Sequence, residues 1–288
     1  RPPGGWLKFS LGQWLARRRE PAVVRGAAAI VSVSDSYIRD LTASYPELEP
    51  DRIELLPFGA SPADFAVAGK HRPAQPLIDF DDGNFHQVYA GRCGPYMAFA
   101  LTALFRAFHR FLTTHPAEAK KMRFHFIGTD YAPPPQGRES VMPIAVTEGV
   151  AAYVREHPYR VPYFDALHYL LRAQALVVVG SADATYTASK LFPYVLARRP
   201  MLLVFHQDSL VLKFAAQLGV GSRFAFADPA QASQLQDEIH ARWFAGGEHR
   251  SQAAYREEDF HPFTAAHLTA RLASIFDVAL ARGRTRAA

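Results

Sequence analysis

Apolar and polar residues alternate along this chain with two periods, one helical and one strand-like. Near the N-terminus, Trp6, Leu7, Leu11, Trp14 and Leu15 recur at helical spacing and predict a helix from Trp6 to Glu20 with a basic end. Ala29-Ile30-Val31-Ser32-Val33 reads as a short buried strand. Ser34 or Asp35 then offers an N-cap for a helix running to about Ser44. Arg52-Ile53-Glu54-Leu55-Leu56 predicts a second strand, closed by Pro57-Phe58-Gly59. From Ala66 to Asp82 the mixture of Gly, Lys, Pro and Asp reads as a linker.

From His86 onward the pattern becomes regular. Strand-like runs are predicted at His86–Ala90, Arg123–Ile127, Val150–Arg155, Leu176–Val179, Met201–Phe205 and Arg223–Ala227. Helical patterns fall between or beside them at about 95–115, 139–148, 164–173, 187–197, 208–218 and 229–245, and a last helix is expected from Ala265 to about Ala281. Strands alternating with helices specify parallel βαβ units, an α/β class with a doubly wound sheet. Right-handed crossovers and six strands suit the order 3-2-1-4-5-6.

That order also predicts a place. Ligands of such sheets bind outside the carboxyl ends of the strands, where the winding reverses between the first and fourth. The first strand runs into Gly91-Arg92-Cys93-Gly94-Pro95, and the fourth into the segment from Gly180 to Lys190. These two loops are also the richest in glycine, hydroxyls and charge.

Composition narrows the partners. The 288 residues carry 32 Lys+Arg against 27 Asp+Glu, a formal charge of +5, with 49% hydrophobic and 20% charged residues. These values are ordinary for a globular protein and exclude a disordered tail, a fibre or a nucleic-acid arm. The basic excess, partly in Arg17-Arg18-Arg19 and in Arg282, Arg284 and Arg286, suits an anionic ligand or peripheral association with an anionic membrane. A single cysteine, Cys93, rules out a disulfide framework and a Cys-rich zinc site and points to a reducing, cytoplasmic compartment. No run reaches the roughly 18 apolar residues of a membrane span, and Arg1–Gly5 has no signal-like apolar region. The chain does not begin with Met, so a protein truncated at its N-terminus is expected.

Several residues can carry chemistry. Gly91 lets the backbone approach an anion, and the Arg92 guanidinium can grip phosphate oxygens; a βα turn with a solvated arginine is the plainer reading. In Thr185–Lys190, Thr187 or Ser189 would cap a helix whose dipole attracts an anion. Lys190 is then at the wrong end of that helix for a cation unless a negative ligand binds there; otherwise it points to water. Arg160-Val161-Pro162-Tyr163 follows the third strand beside the same crevice and could hold a flat nucleobase, or simply begin the next helix. His157, His168, His206 and His261 lack zinc-site spacing, so no metal site is expected. Neither a Gly-x-Ser-x-Gly elbow nor a Walker A sequence is present.

Taken in order, Ala27–Ser34 with its helix, Arg52–Ala60 with Asp64-Phe65, and Val88-Tyr89-Ala90-Gly91-Arg92 resemble the group 1 glycosyltransferases. Ser189–Tyr194, with Ala197 and Pro200, is similar to that family's "K-l-x-E-y-l-a-x-G-x-P" helix. The resemblance runs from about Ala27 to Asp228. It implies a GT-B architecture of two Rossmann-like domains, with the nucleotide-diphosphate sugar held by the C-terminal one. It would make residues 1–65 the remnant of an N-terminal acceptor domain, 66–85 a linker, 86–264 the donor-binding domain and 265–288 a C-terminal helix and tail. Gly91, Arg92, Thr187, Ser189 and Lys190 would bind the donor diphosphate, and Arg160, Val161 and Tyr163 would lie near the base and ribose. The partners implied are a nucleotide sugar and an acceptor glycan, lipid or small molecule, without nucleic acid and without a resident cofactor.

The family often has two glutamates separated by seven residues; the matching positions are Thr185 and Pro193, so both carboxylates are absent. No catalytic residue is nominated. A non-catalytic nucleotide-sugar-binding or scaffold module is therefore a second reading. A nicotinamide oxidoreductase is a third, although no Gly-x-Gly-x-x-Gly follows the first strand and only Asp130 lies near the end of the second.

Overall fold

The computed structural model describes residues 5–184, 186–253 and 255–287. The chain divides into two compact units, one formed by residues 1–58 with 265–288 and the other by Gly59–Thr264.

In the smaller unit the first helix spans Gly5–Gly26, longer than the apolar pattern predicts, and continues through Pro21. Its last turn is anchored because Val24 is buried with Tyr45 and Leu48 in a small apolar cluster. Trp6 and Trp14 of the predicted stripe are exposed. Strands β1 (Ile30–Ser32) and β2 (Ile53–Leu55) pair in parallel, Ile30 opposite Ile53. Between them, the helix Asp35–Ser44 is capped by Ser34, whose side chain accepts from the Ser36 amide at 3.2 Å. The same unit contains the helix Ala265–Ala287.

The larger unit begins with a helix, Pro62–Ala68, and an irregular run in which Ile78 and Phe80 are nonetheless buried. Six strands follow: β3 (Phe85–Ala90), β4 (Met122–Ile127), β5 (Val154–His157), β6 (Ala175–Val179), β7 (Met201–His206) and β8 (Ser222–Phe226). They form one sheet in the order β5-β4-β3-β6-β7-β8, every pair parallel. This is the predicted 3-2-1-4-5-6 order. Both faces are covered. Tyr89, Phe124, Phe126, Val177, Val179, Leu202 and Val204 face one core, built with the helix Ala98–Thr114 and the segment Ala232–Ala245. Val88, Ile127, Leu176, Val178, Leu203 and Phe205 face the other, packed by the helices Tyr163–Arg172, Leu191–Leu196 and Leu210–Gln217. Burial on both faces explains why the central strands β6 and β7 read as unbroken apolar runs, whereas the edge strands β5 and β8 carry exposed polar residues.

Two predicted elements shift. The strand expected over Val150–Arg155 occupies Val154–His157 instead. Gly149, at φ +71°, ends the helix Met142–Thr147, and the Val150 amide bonds back to the Ala145 carbonyl at 2.9 Å. That closure turns Ala151–Tyr153 into a 3-10 turn before pairing starts at Phe124–Val154. The helix expected over 187–197 is confined to Leu191–Leu196. The residues before it are spent on turns, with Tyr186 N–H donating to Asp183 O at 3.2 Å and Leu191 N–H to Ala188 O at 3.1 Å.

A polar chain crosses the amino-terminal side of the sheet. His86 Nδ1 lies 2.9 Å from His125 Nε2, and His86 Nε2 lies 2.9 Å from Asp82 Oδ1. Burial, then the neighbouring His86, holds the His125 imidazole down to about 3. Hydrogen bonds from Asn84, ahead of His86, hold the Asp82 carboxyl down to about 2. The depressed pKa keeps native His125 neutral while the unfolded chain takes up a proton near 6.5. Its stabilising share is thus present above pH 6.5 and is lost as pH falls toward 3, at about 1.4 kcal/mol per pH unit. Asp82 acts in the same direction at lower pH. Urea unfolding of His125→Phe between pH 6.5 and 4 should show a shallower loss of stability than the parent. Equal slopes would remove His125 from this account.

Candidate functional site

The site is built where β3 and β6 diverge at their carboxyl ends. Gly91, at φ +136°, turns the chain after β3, in a conformation that side-chain-bearing residues rarely adopt. A Cβ there would sit 3.3 Å from both Cε and Nζ of Lys190, so the absence of a side chain is what lets the lysine lie along this turn. Lys190 Nζ donates to the Tyr89 hydroxyl, and to the Arg92 carbonyl at 3.2 Å, and lies 4.0 Å from the Tyr89 ring centroid. Tyr89 in turn donates to the Arg92 carbonyl. Burial holds the Lys190 ammonium down to about 8. A cation kept partly out of water beside a neutral tyrosine is a poor resting state and a good receptor for an anion.

Arg92 itself is exposed, with its guanidinium carbon 4.7 Å from the Tyr131 ring centroid. Arg160, from the loop after β5, lies 4.3 Å from the same ring. Two guanidinium groups from different loops thus meet at one tyrosine in the loop after β4. Among the described residues, neither they nor Lys190 forms an ion pair with a carboxylate.

The loop that carries Tyr131 is pinned from beneath. On β5, Glu156 Oε1 accepts from the Thr129 hydroxyl at 2.6 Å and the Ser140 amide at 3.0 Å. Its Oε2 accepts from the amides of Val141 at 2.9 Å and Met142 at 2.8 Å. One carboxylate therefore ties the start of the loop to its end and satisfies donors at the start of the following helix. At the top, Asp130 accepts from the amides of Tyr131 at 2.6 Å and Arg138 at 2.9 Å. These bonds, Arg138 first, lower its pKa, and the Arg92 charge adds to them. The Ser140 hydroxyl reaches across to the Cys93 carbonyl and joins the loops after β3 and β4.

The predicted residues are thus partly assembled. Gly91, Arg92, Lys190 and Arg160 come together. Thr187, half-buried, and Ser189, exposed, lie in the turn ahead of Leu191 and do not cap the helix, because the helix begins after them. With only six residues, that helix offers no anion site of the kind expected. Val161 packs against the core, and the Tyr163 hydroxyl donates to Asp64 Oδ2 at 2.8 Å; loss of solvent around that hydroxyl, and then this bond, raise its pKa to about 12. Pro193 lies within the helix, and Thr185 is outside the described residues. Cys93 is fully buried and pushed up to about 12 by that burial, which makes it a packing residue and not a nucleophile. Tyr89 lies in the Val88–Arg92 run singled out in the sequence but with no role given to it, and Tyr131 and Glu156 carry no sequence signature beyond their positions relative to the carboxyl edge.

No group of three or more His, Cys, Asp or Glu able to hold a metal occurs among the described residues. No helix among them is long and apolar enough to cross a membrane.

This six-stranded unit has the Rossmann-like architecture of a GT-B domain, and the solved structures that share this fold include glycosyltransferases. One is a UDP-forming α,α-trehalose-phosphate synthase from Burkholderia vietnamiensis, with a TM-score of 0.61 and 19% identity over 87% of this chain and 59% of that one. Another is WaaG, a glycosyltransferase involved in lipopolysaccharide biosynthesis, at TM-score 0.55 and 16% identity over 80% and 57% of the two chains. A third is the sucrose-phosphate synthase of Thermosynechococcus elongatus, at 0.58 and 11% over 91% and 61%. The chain therefore spans about three fifths of the length of these structures, and at such identities what is shared is the fold. No family model matches the chain, and no curated protein sequence does.

Proposed function

We propose that the unit Gly59–Thr264 binds the diphosphate of a nucleotide sugar and that the protein is a glycosyltransferase. The observation that carries this reading is the trio Arg92, Arg160 and Lys190, gathered at the switch point without a carboxylate partner. In glycosyl transfer, negative charge builds on the departing nucleoside diphosphate, and preplaced cations stabilise that charge as it forms. Lys190, already held beside Gly91, would meet the phosphate oxygens. Arg92 and Arg160 would flank them, and Tyr131 offers an aromatic face near the base or ribose. No metal is required by this scheme, because the side chains supply the charge.

The test is a thermal-shift screen against UDP-, GDP-, ADP- and dTDP-sugars and NAD. One or more of the nucleotide sugars should raise the midpoint by preferential binding to the native state. Stabilisation by NAD alone would overturn the proposal in favour of an oxidoreductase. The second reading, a binding module without catalysis, draws on Pro193 standing where the family has a carboxylate. Transfer of radiolabelled sugar from the stabilising donor would exclude it, whereas tight donor binding with neither transfer nor donor hydrolysis would favour it.

A further inference from the structure

A second polar cavity lies at the opposite edge of the same sheet. It is formed where the chain enters β7 and β8, so the length of a strand, roughly 17–20 Å, separates it from the crevice above. Its volume is about 290 Å³ and its walls include Arg198, Arg199, Arg242, Ser222, Gln252 and Tyr255. Two of the three arginines are neutralised. Arg242 bonds Glu248 at 3.0 Å and Glu238 at 2.6 Å. Arg198 bonds Glu257 at 2.6 Å and lies 4.8 Å from the Tyr255 ring.

Arg199 is different. It makes no ion pair among the described residues; one terminal nitrogen donates to the Leu171 carbonyl, and its buried Nε has no partner. Burial, and then the like charge of Arg172, lowers its pKa. Glu248 also lines the cavity, but both its oxygens face Arg242, at 3.0 and 3.4 Å. A half-buried guanidinium with no counter-charge calls for an anion; the orphan Nε, itself out of contact with solvent, is not the ligand's donor and only adds to the cost of holding the charge there. The backbone adds to this. Arg198 follows the helix Leu191–Leu196 and its Ala197 cap in the left-handed region, φ +53°, a position where glycine is the unstrained choice. The sequence places an arginine there and accepts the strain.

We propose that this cavity binds a phosphomonoester of about monosaccharide size, with Arg199 as the residue that engages the phosphate. Ser222, Gln252 and the Tyr255 ring supply the hydroxyl, amide and aromatic contacts that a sugar ring uses. The assignment is independent of what occupies the carboxyl-edge crevice.

The experiment is a titration of the isotopically labelled full chain with inorganic phosphate, a hexose 6-phosphate, the free hexose and sulfate, followed by amide chemical shifts and calorimetry. Saturable shifts should cluster at Gly219–Ser222 and Ser251–Ala253 and be strongest with the hexose phosphate. Arg199→Gln should weaken that binding by about tenfold or more, while Lys190→Ala leaves it unchanged. Inorganic phosphate matching the ester would show a phosphate-only pocket and overturn the sugar part of the assignment. Shifts confined to Gly91–Cys93, loss of binding in Lys190→Ala, or no saturable response to any phosphate would overturn the site. The shift map of the unsubstituted chain stands even where Arg199→Gln fails to fold.

Discussion

Replacing Lys190 with alanine is expected to weaken binding of a nucleoside diphosphate by about 1.5–3 kcal/mol, roughly 10- to 150-fold. The lysine is held in place before a ligand arrives by hydrogen bonds to Tyr89 and the Arg92 carbonyl, whereas Arg92 and Arg160 rest on the face of Tyr131. Its pKa, held to about 8 by burial, gives the loss a recognisable pH signature. Below about 8 the ammonium is charged and affinity should be flat. Above that, the free protein loses the proton that the complex retains, so affinity should fall by up to about tenfold per pH unit while proton uptake accompanies binding. Calorimetry in buffers of different ionisation enthalpy measures both. Arg92→Ala should weaken binding but keep the pH profile, whereas Lys190→Ala should lose it. The same depressed pKa has a consequence for stability. The burial cost of the charge is present below about pH 8 and is relieved as pH rises toward the unfolded value, so the alanine variant should fold normally at neutral pH. Unchanged affinity, or a pH profile that survives in Lys190→Ala, would remove this residue from the site.

The largest effect on folding is expected from Trp243→Ala. Trp243 is fully buried in the segment Ile239–Ala245, and its Nε1 donates to Gln87 Oε1 at 3.0 Å in the middle of β3. Truncation opens a cavity, which costs about 3–5 kcal/mol. It also strands the Gln87 carbonyl, itself without solvent access, for about another 1–3 kcal/mol. For a unit of this size the melting point should drop by roughly 10 °C or more. Trp243→Phe keeps most of the volume and should lose mainly the hydrogen bond. Differential scanning calorimetry of both variants separates the two contributions. A shift of only a degree or two for the alanine variant would mean that the core re-closes around the gap.

Much of this architecture was legible in the residue pattern, for a physical reason. Strands buried on both faces must be apolar along their whole length, so Val88–Ala90, Leu176–Val179 and Met201–Phe205 announce themselves. The winding rule then orders them and locates the crevice. Gly91, Arg92 and Lys190 were reachable because they border it. The start of the helix at Leu191 was not. Hydroxyl residues such as Thr187 favour a cap locally, but tertiary contacts spend that stretch on turns which bring Lys190 to Tyr89. Tyr131 was hidden for another reason. The run Asp130-Tyr131-Ala132-Pro133-Pro134-Pro135 has no period at all, and the meeting of Arg92 and Arg160 at one ring depends on three loops far apart in sequence. Pro133–Pro135 favours a loop of fixed shape, but only the sheet says which way it faces.

The grip of Glu156 separates inheritance from innovation in this protein. Because the carboxylate sits on a strand and holds the loop only at Thr129 and at Ser140–Met142, the residues between those anchors, apart from Asp130 with its own bonds to the Tyr131 and Arg138 amides, are free to change in sequence without the scaffold being rebuilt. The loop behaves as an exchangeable cassette clipped at both ends. Substitutions at Tyr131 and its neighbours would reshape the wall of the crevice alone, while a single substitution at Glu156 would release the whole cassette at once.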